Sequence, residues 1–378
     1  MALLPSYFLV QLAFAPLPPP FSTALAEIEV DASVDGASAF RLHFDLSRTP
    51  WGDFDALAFD IFRPLVPIRV SVSAGLGIPT TLINGYIRDV QLGVSNRPGG
   101  ATLEVSGMDA LGTIMGHIQQ PFIWPSMPDS EVVRAIFARY AIAPTFVVPT
   151  PPTRTIVDTT TTQHAYDNAY LRQLAQRNAY ELYIQPDPIA GVDMAHFHPP
   201  LMVAPPQGVL SIDFGSQTNL SNFSVDYQML QPTGVLGLSV EPKSRIPIPA
   251  VAPVAVEPPM GLEPTLLRII PPPIERAMTN DAANPAEAQF QALARATQSS
   301  RALRASGEVD GLKYNRPLLP GLPVLVRGAG RQHSGLYYVT QVAHQISKAG
   351  YTQRFQALRN AVGLTGAEVF IDPLAAVA

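Results

Sequence analysis

The sequence predicts a mainly β protein with an α+β insertion, in which two similar small β-barrel domains flank an α+β module. Three observations carry that reading. Apolar and polar residues alternate over short runs toward both ends of the chain. In the middle, the apolar spacing changes to a helical period. Proline makes up 39 of the 378 residues, about twice its usual share, and proline breaks helix interiors.

Residues 1–23 read as an N-terminal arm. Tyr7–Ala15 is apolar and ends Ala13-Phe14-Ala15, which imitates a signal-peptide cleavage site. No basic region precedes it, and Pro16, Pro18, Pro19 and Pro20 follow at once, so the stretch reads as part of the working chain.

Residues 24–112 read as the first barrel. Phe40, Leu42 and Phe44 alternate with Arg41 and His43. Ile68, Val70 and Val72 alternate with Arg69 and Ser71. Val90, Leu92 and Val94 repeat the period, as do Leu103 and Val105, and Pro98-Gly99-Gly100 predicts a hairpin turn between these two runs. Period two assigns Val90, Leu92, Leu103 and Val105 to the barrel interior.

Residues 113–200 form the α+β module. Val133, Ile136, Phe137 and Tyr140 sit at helical spacing, with Asp129 placed to cap the start. A second helix carries Tyr166, Tyr170, Leu171, Leu174 and Ala175 on one face, and this stripe reads as core. Tyr180–Ile184 and Ala195–His198 read as strands.

Residues 201–241 and 284–364 form the second barrel, interrupted by a proline-rich arm at 242–283. Ten of the 32 residues from Pro242 to Pro273 are proline, the composition of an extended arm and not of a packed element. Asn284-Pro285-Ala286-Glu287 predicts a capped helix running to about Ala305. Val324–Val326, Leu336–Val342 and Tyr351–Leu358 read as the closing strands, with Val342, Phe355 and Leu358 pointing inward. Residues 365–378 are a C-terminal tail.

A weak internal repeat links the two β regions. Residues 85–110 align without gaps onto 335–360, and Gly85, Gln91, Gly100 and Thr102 meet Gly335, Gln341, Gly350 and Thr352. Each copy is a strand, a glycine-containing turn and a second strand, which is why two barrels of similar topology are expected.

Composition narrows the function. The formal net charge is −5, against the basic face a general nucleic-acid binder needs. Charged residues are only 15 %, compared with about 25 % in a typical domain, and a weakly charged surface suits a subunit buried in an assembly. There is no cysteine, which excludes disulfides, thiolate metal sites and thiol catalysis. No unbroken apolar run is long enough to span a membrane.

Candidate chemistry is sparse. His196 and His198 share one side of a strand, but a metal would also need a third ligand such as Asp193 and a pocket, so they read as a solvated strand end. Gly328-Ala329-Gly330 joins two strands and opens no helix, so it reads as a hairpin loop and not a phosphate cradle. Asp53 and Asp55 could be paired glycosidase carboxylates, yet they lie in a polar stretch and read as loop solvation. No set of residues assembles a nucleophile, base and oxyanion donor. No catalytic residue, cofactor or metal is expected.

The run from Asp167 to Tyr183, Asp-Asn-Ala-Tyr-Leu-Arg-Gln-Leu-Ala-Gln-Arg-Asn-Ala-Tyr-Glu-Leu-Tyr, resembles a signature of the baseplate hub proteins of contractile phage tails, the late control protein D family. It is similar to the N-terminal half of the type VI secretion spike protein VgrG. Tyr170 stands at the usual aromatic position and Ala179 at the usual glycine. Asp129–Arg134, Phe197-His198-Pro199-Pro200, Leu319–Val324 and Ser334–Thr340 resemble further family segments in the same order.

The resemblance implies a non-enzymatic structural hub. Three chains would present six barrels and so match a trimeric spike to a hexameric tail tube, lining the channel between them. The implied partners are two further copies, a tail tube or tube-initiator protein, a spike protein and other baseplate proteins, with no nucleic-acid specificity and no membrane insertion. VgrG continues into a needle, whereas this chain stops at Ala378, so the spike is expected as a separate polypeptide. Assembly in the bacterial cytoplasm as part of a phage tail or injection particle is implied too. A particle-borne cell-wall hydrolase would instead need an acid or histidine cluster in a deep pocket. A carbohydrate binder would need aromatic platforms, and Trp51 and Trp124 are the only tryptophans.

Overall fold

The computed structural model describes residues 7–49, 52–54, 60–73, 79–95, 100–119, 121–150, 161–240, 245–253, 255–271, 273–278 and 285–370. Trp51, Asp55 and the expected turn at Pro98-Gly99 lie outside them, as does Asn284.

The chain opens with β1 (Tyr7–Leu12), β2 (Ala15–Pro16) and the short helix α1 (Pro19–Ala24). Then come β3 (Leu25–Ser33), β4 (Ala39–Leu46), β5 (Pro67–Ser73), β6 (Thr80–Val94) and β7 (Ala101–Met108). They pair antiparallel in the order β3–β4–β7–β6–β5–β1. Alternation decides the inner face: Ile28, Phe40, Leu42, Val70, Leu103 and Val105 are each at most 2 % exposed and share one core.

The α+β module holds β8 (Phe122–Trp124), α2 (Asp129–Arg139), β9 (Ala143–Val147), β10 (Thr161–Gln163), α3 (Asp167–Asn178), β11 (Glu181–Pro186) and β12 (Asp193–His198). The sheet β11–β12–β9 and the two helices enclose Val133, Ile136 and Phe137 of α2 with Tyr170, Leu171 and Leu174 of α3. Tyr180 is half-buried, its ring edge-on to Phe197 at 5.1 Å. Two local expectations change. Tyr166 is exposed, because it precedes α3 as its N-cap. Asp129 does not cap α2; its carboxylate accepts from Arg177 Nε at 2.9 Å and Asn178 Nδ2 at 2.6 Å, tying the start of α2 to the end of α3.

The second β unit begins with β13 (Val209–Ser211) and β14 (Leu220–Tyr227). The chain then leaves it for β15 (Gly234–Val240), β16 (Pro247–Ala252), β17 (Glu263–Pro264), β18 (Ile274–Met278) and α4 (Pro285–Ser300). This corrects the reading of 242–283 as an unpacked arm. β16 pairs with β15, and Ile248, Ala250 and Ala252 bury against Ala288, Ala292 and Ala296 of α4. Proline tolerates this because β16 is an edge strand, and Pro247 and Pro249 share one parity, so both missing N–H groups fall on the free edge.

The chain returns with β19 (Leu303–Asp310), the one-turn helix α5 (Gly311–Tyr314), β20 (Pro323–Arg327), β21 (Gly335–Ser347), β22 (Gly350–Arg359) and β23 (Ala361–Val362), the last pairing with β17. α4 therefore ends at Ser300, short of the expected Ala305, and β19 is a strand the periodicity hides. Gly307 interrupts its apolar alternation because the Phe355 ring of β22 occupies that place; a Cβ there would meet it at 2.8 Å.

The second unit pairs as β14–β19–β22–β21–β20–β13, the same order as β3–β4–β7–β6–β5–β1, although its last pair is parallel where the first unit's is antiparallel. The fold is thus mainly β with an α+β insertion, but among the described strands neither unit closes into a separate barrel. β21 pairs with β3 from Gln341↔Ser33 to Ser347↔Glu27, and one 13-stranded sheet runs through both units. β3 occupies the edge through which the second unit would have closed on itself.

Matching bulges refine the internal repeat. β6 has one extra residue at Arg88 and β21 one at Thr340. Aligned there, Val90, Leu92 and Val94 correspond to Val342, His344 and Ile346, two residues from the gapless alignment and on the same face.

Three assigned interior residues are not interior. Val90 and Leu92 are each 46 % exposed, because β5 pairs only with Thr80–Tyr86 and leaves the far half of β6 with β7 alone. Leu358 is half-buried beside its cross-strand partner Tyr338; three residues from Phe355, it must face the other side of the sheet. Val342 and Phe355 are buried.

Ala179 terminates α3 with φ of 51°, in the left-handed region that costs an L residue about 1 kcal/mol. Ala179→Gly should raise stability by about 1 kcal/mol in urea unfolding with an unchanged m-value. An unchanged or lower midpoint would show that the backbone is not strained there.

Candidate functional site

The polar residues singled out by sequence do not form a reaction centre. His196 and His198 are buried, not solvated. The His196 ring stacks between Phe146 at 4.5 Å and Tyr183 at 4.3 Å, and its Nδ1 lies 3.1 Å from His198 Nε2. Burial, with His198 beside it, pushes His196 down to about 3, so both rings act as neutral packing groups. Asp193 is committed elsewhere, accepting from Asn84 Nδ2 at 2.8 Å. Gly328 leads into a single helical turn at Gly330–His333, and Asp53 carries its own loop, its Oδ1 accepting from the Phe54 amide at 2.8 Å. Among the described residues no three His, Cys, Asp or Glu side chains come together to hold a metal.

A buried polar junction joins three parts of the chain. Glu181 at the start of β11 accepts a hydrogen bond from the Tyr338 hydroxyl of β21. Arg301, just past α4, forms a two-point ion pair with Glu257, both side chains being at most 13 % exposed. Burial pushes the Glu181 carboxyl up to about 8, although Tyr338 and Arg301 act against it. Removing one partner from such a junction costs far more than the pair contributes, so it holds the α+β module to the second unit as a matter of geometry.

The remaining candidates are surfaces. The polar face of the continuous sheet is laced by ion pairs of both signs, Arg41 with Glu29 at 3.1 Å and Glu104 at 2.8 Å, and Arg354 with Glu308 at 3.0 Å. Grooves lined by Phe40, Arg41 and Gly107 in one unit and by Gly307, Glu308 and Phe355 in the other lie over equivalent strands. The far half of β6 exposes Val90, Leu92 and Val94 and pairs with β7 alone among the described strands, and β14, at one end of the sheet, pairs among them only with β19. The small sheet beneath α4 exposes Leu236, Leu238 and Val251 on its other face. Sequence reading found the strands but placed the β6 residues inside.

The raised Glu181 carboxyl makes stability depend on pH. Its folded value of about 8 lies above the ordinary 4.5, so the folded state holds a proton the unfolded state has lost. That contribution is complete below pH 4.5 and is lost as the pH rises through 8. Thermal unfolding across this range should show wild type falling and Glu181→Gln falling less. Parallel curves would exclude Glu181 as the titrating group.

No protein-family model matches the sequence, and no curated protein matches it. Solved structures do. The 43 kDa tail protein of prophage MuSo2 from Shewanella oneidensis superposes with a TM-score of 0.66 at 12 % identity, covering 94 % of this chain and 99 % of that one. A tail protein from Neisseria meningitidis gives 0.64 at 12 % identity, over 94 % and 97 % of the two chains. The E. coli c3393 protein, described as a component of the type VI secretion system with structural similarity to T4 phage tail proteins gp27 and gp5, gives 0.56 at 12 % identity, over 93 % and 76 %. This chain has the fold of the phage tail proteins, in agreement with its sequence resemblance to the baseplate hub family.

Proposed function

We propose that the protein is a structural, non-enzymatic baseplate hub of a contractile injection apparatus, a phage tail or a particle derived from one. In this reading it is a homotrimeric adaptor that joins a hexameric tail tube to a trimeric spike, and other baseplate proteins dock around it. The polar face of the continuous sheet lines the central channel. It assembles in the bacterial cytoplasm with the rest of the particle. Among the described residues no helix is long and apolar enough to cross a membrane.

One observation carries the proposal: a single chain holds two β units of the same strand order, side by side in one sheet, within a fold shared with tail proteins over 94 % of its length. Three such chains supply six equivalent units, which is what matching threefold to sixfold symmetry requires.

Light scattering on the purified full-length chain at high micromolar concentration should give three copies, about 122 kDa (3 × 40.7). A mass of one or two copies would overturn the adaptor reading.

A further inference from the structure

Aligned through their bulges, the two β units differ in one respect. Val342, His344 and Ile346 of β21 are at most 4 % exposed, because β3 pairs along that strand. Their counterparts Val90, Leu92 and Val94 of β6 are 46 to 51 % exposed, and no described strand pairs with that half of β6.

The missing strand has a counterpart at the other end of the sheet. β14 corresponds to β3: an extra residue, Ala26 in one and Ser221 in the other, sits at the same point in the pairing with β4 and with β19. Through that match, Phe223, Val225 and Tyr227 correspond to Ile28, Val30 and Ala32. The β3 residues are buried and the β14 residues only partly so, since β14 has a second, unpaired edge.

We propose that β6 of one copy pairs antiparallel with β14 of the next copy, in the register that β21 and β3 use within one chain. This rests on the trimeric reading above and adds the residues of its seam. Carrying the register over sets Val90 opposite Tyr227, Leu92 opposite Val225 and Val94 opposite Phe223. Each exposed apolar residue on the two edges then meets an apolar partner, the usual unit of sheet stabilisation. On the other face Gln91 meets Asp226, an amide against a carboxylate. A slip of one residue would set Val90 and Leu92 against Asp226 and Ser224. Within the chain β6 pairs with β5 and β7, and β14 with β19, so joining these two edges links different copies. Pairing two unlike edges is head-to-tail and generates a ring when it closes.

The chain has no cysteine, so Q91C/D226C introduces the only thiols. Opposed residues have Cβ atoms about 5 Å apart, within disulfide range after small adjustments. Oxidation of the full-length double variant should give a covalent trimer on non-reducing denaturing gels. Q91C/N222C, four residues out of register and therefore about 13 Å apart, should give none. Mass is measured on the same samples before oxidation. A trimer in which Q91C/D226C does not cross-link, or in which both variants cross-link alike, overturns the seam and leaves the trimer standing. A monomer overturns both. Leu92→Glu supplies a second test: it should keep the wild-type far-ultraviolet circular dichroism and still unfold cooperatively while abolishing the trimer. A trimeric Leu92→Glu variant would overturn the seam.

Discussion

The antiparallel pairing of β21 with β3 organises the rest of the molecule. It joins Gln341 to Ser33 across more than three hundred residues of chain. Closing so long a loop carries an entropic cost that grows only slowly with length, and several paired residues with a buried face can offset it. Val342, His344 and Ile346 lie under this seam together with Ile28 and Val30. The imidazole of His344 is accommodated by a 2.8 Å contact with the Tyr351 hydroxyl, and burial pushes it down to about 3, so it stays neutral. Because β21 pairs with β3, the two units share one sheet, and among the described strands the far half of β6 and the outer edge of β14 are left unpaired.

The α+β module braces this shared sheet from both sides. Toward the first unit, Asn84 Nδ2 donates to the Gly191 carbonyl and to Asp193, both at 2.8 Å, and Arg69 also donates to Gly191 at 2.9 Å. Toward the second, Tyr338 donates to Glu181. Between them, Val34 donates its amide to the Thr340 carbonyl at 3.0 Å, at the bulge that ends the seam. These are directional contacts to buried groups, which restrict the relative placement of the parts more than apolar packing does.

Much of this was legible in the amino acids because the governing physics is local. Alternation reported strands with one wet face, such as Phe40–Phe44 and the run of Leu103 and Val105. Helical spacing reported both helices of the module, and a proline at the first helical position marked α4. The absence of cysteine and the scarcity of charge bounded the chemistry in the same way.

Other features were decided only by tertiary contacts. β19 escaped notice because Gly307 makes room for Phe355, a residue from another strand. The proline-rich segment packs because α4 covers one face of β16 and β16 sits at an edge. Val90 and Val342 show the difference most plainly. By itself the sequence determined that each stands on the apolar side of a strand, since side chains alternate with a period of two. It could not determine that Val342 is buried and Val90 exposed, because burial depends on whether a second strand lies alongside, and that strand comes from a distant part of the chain.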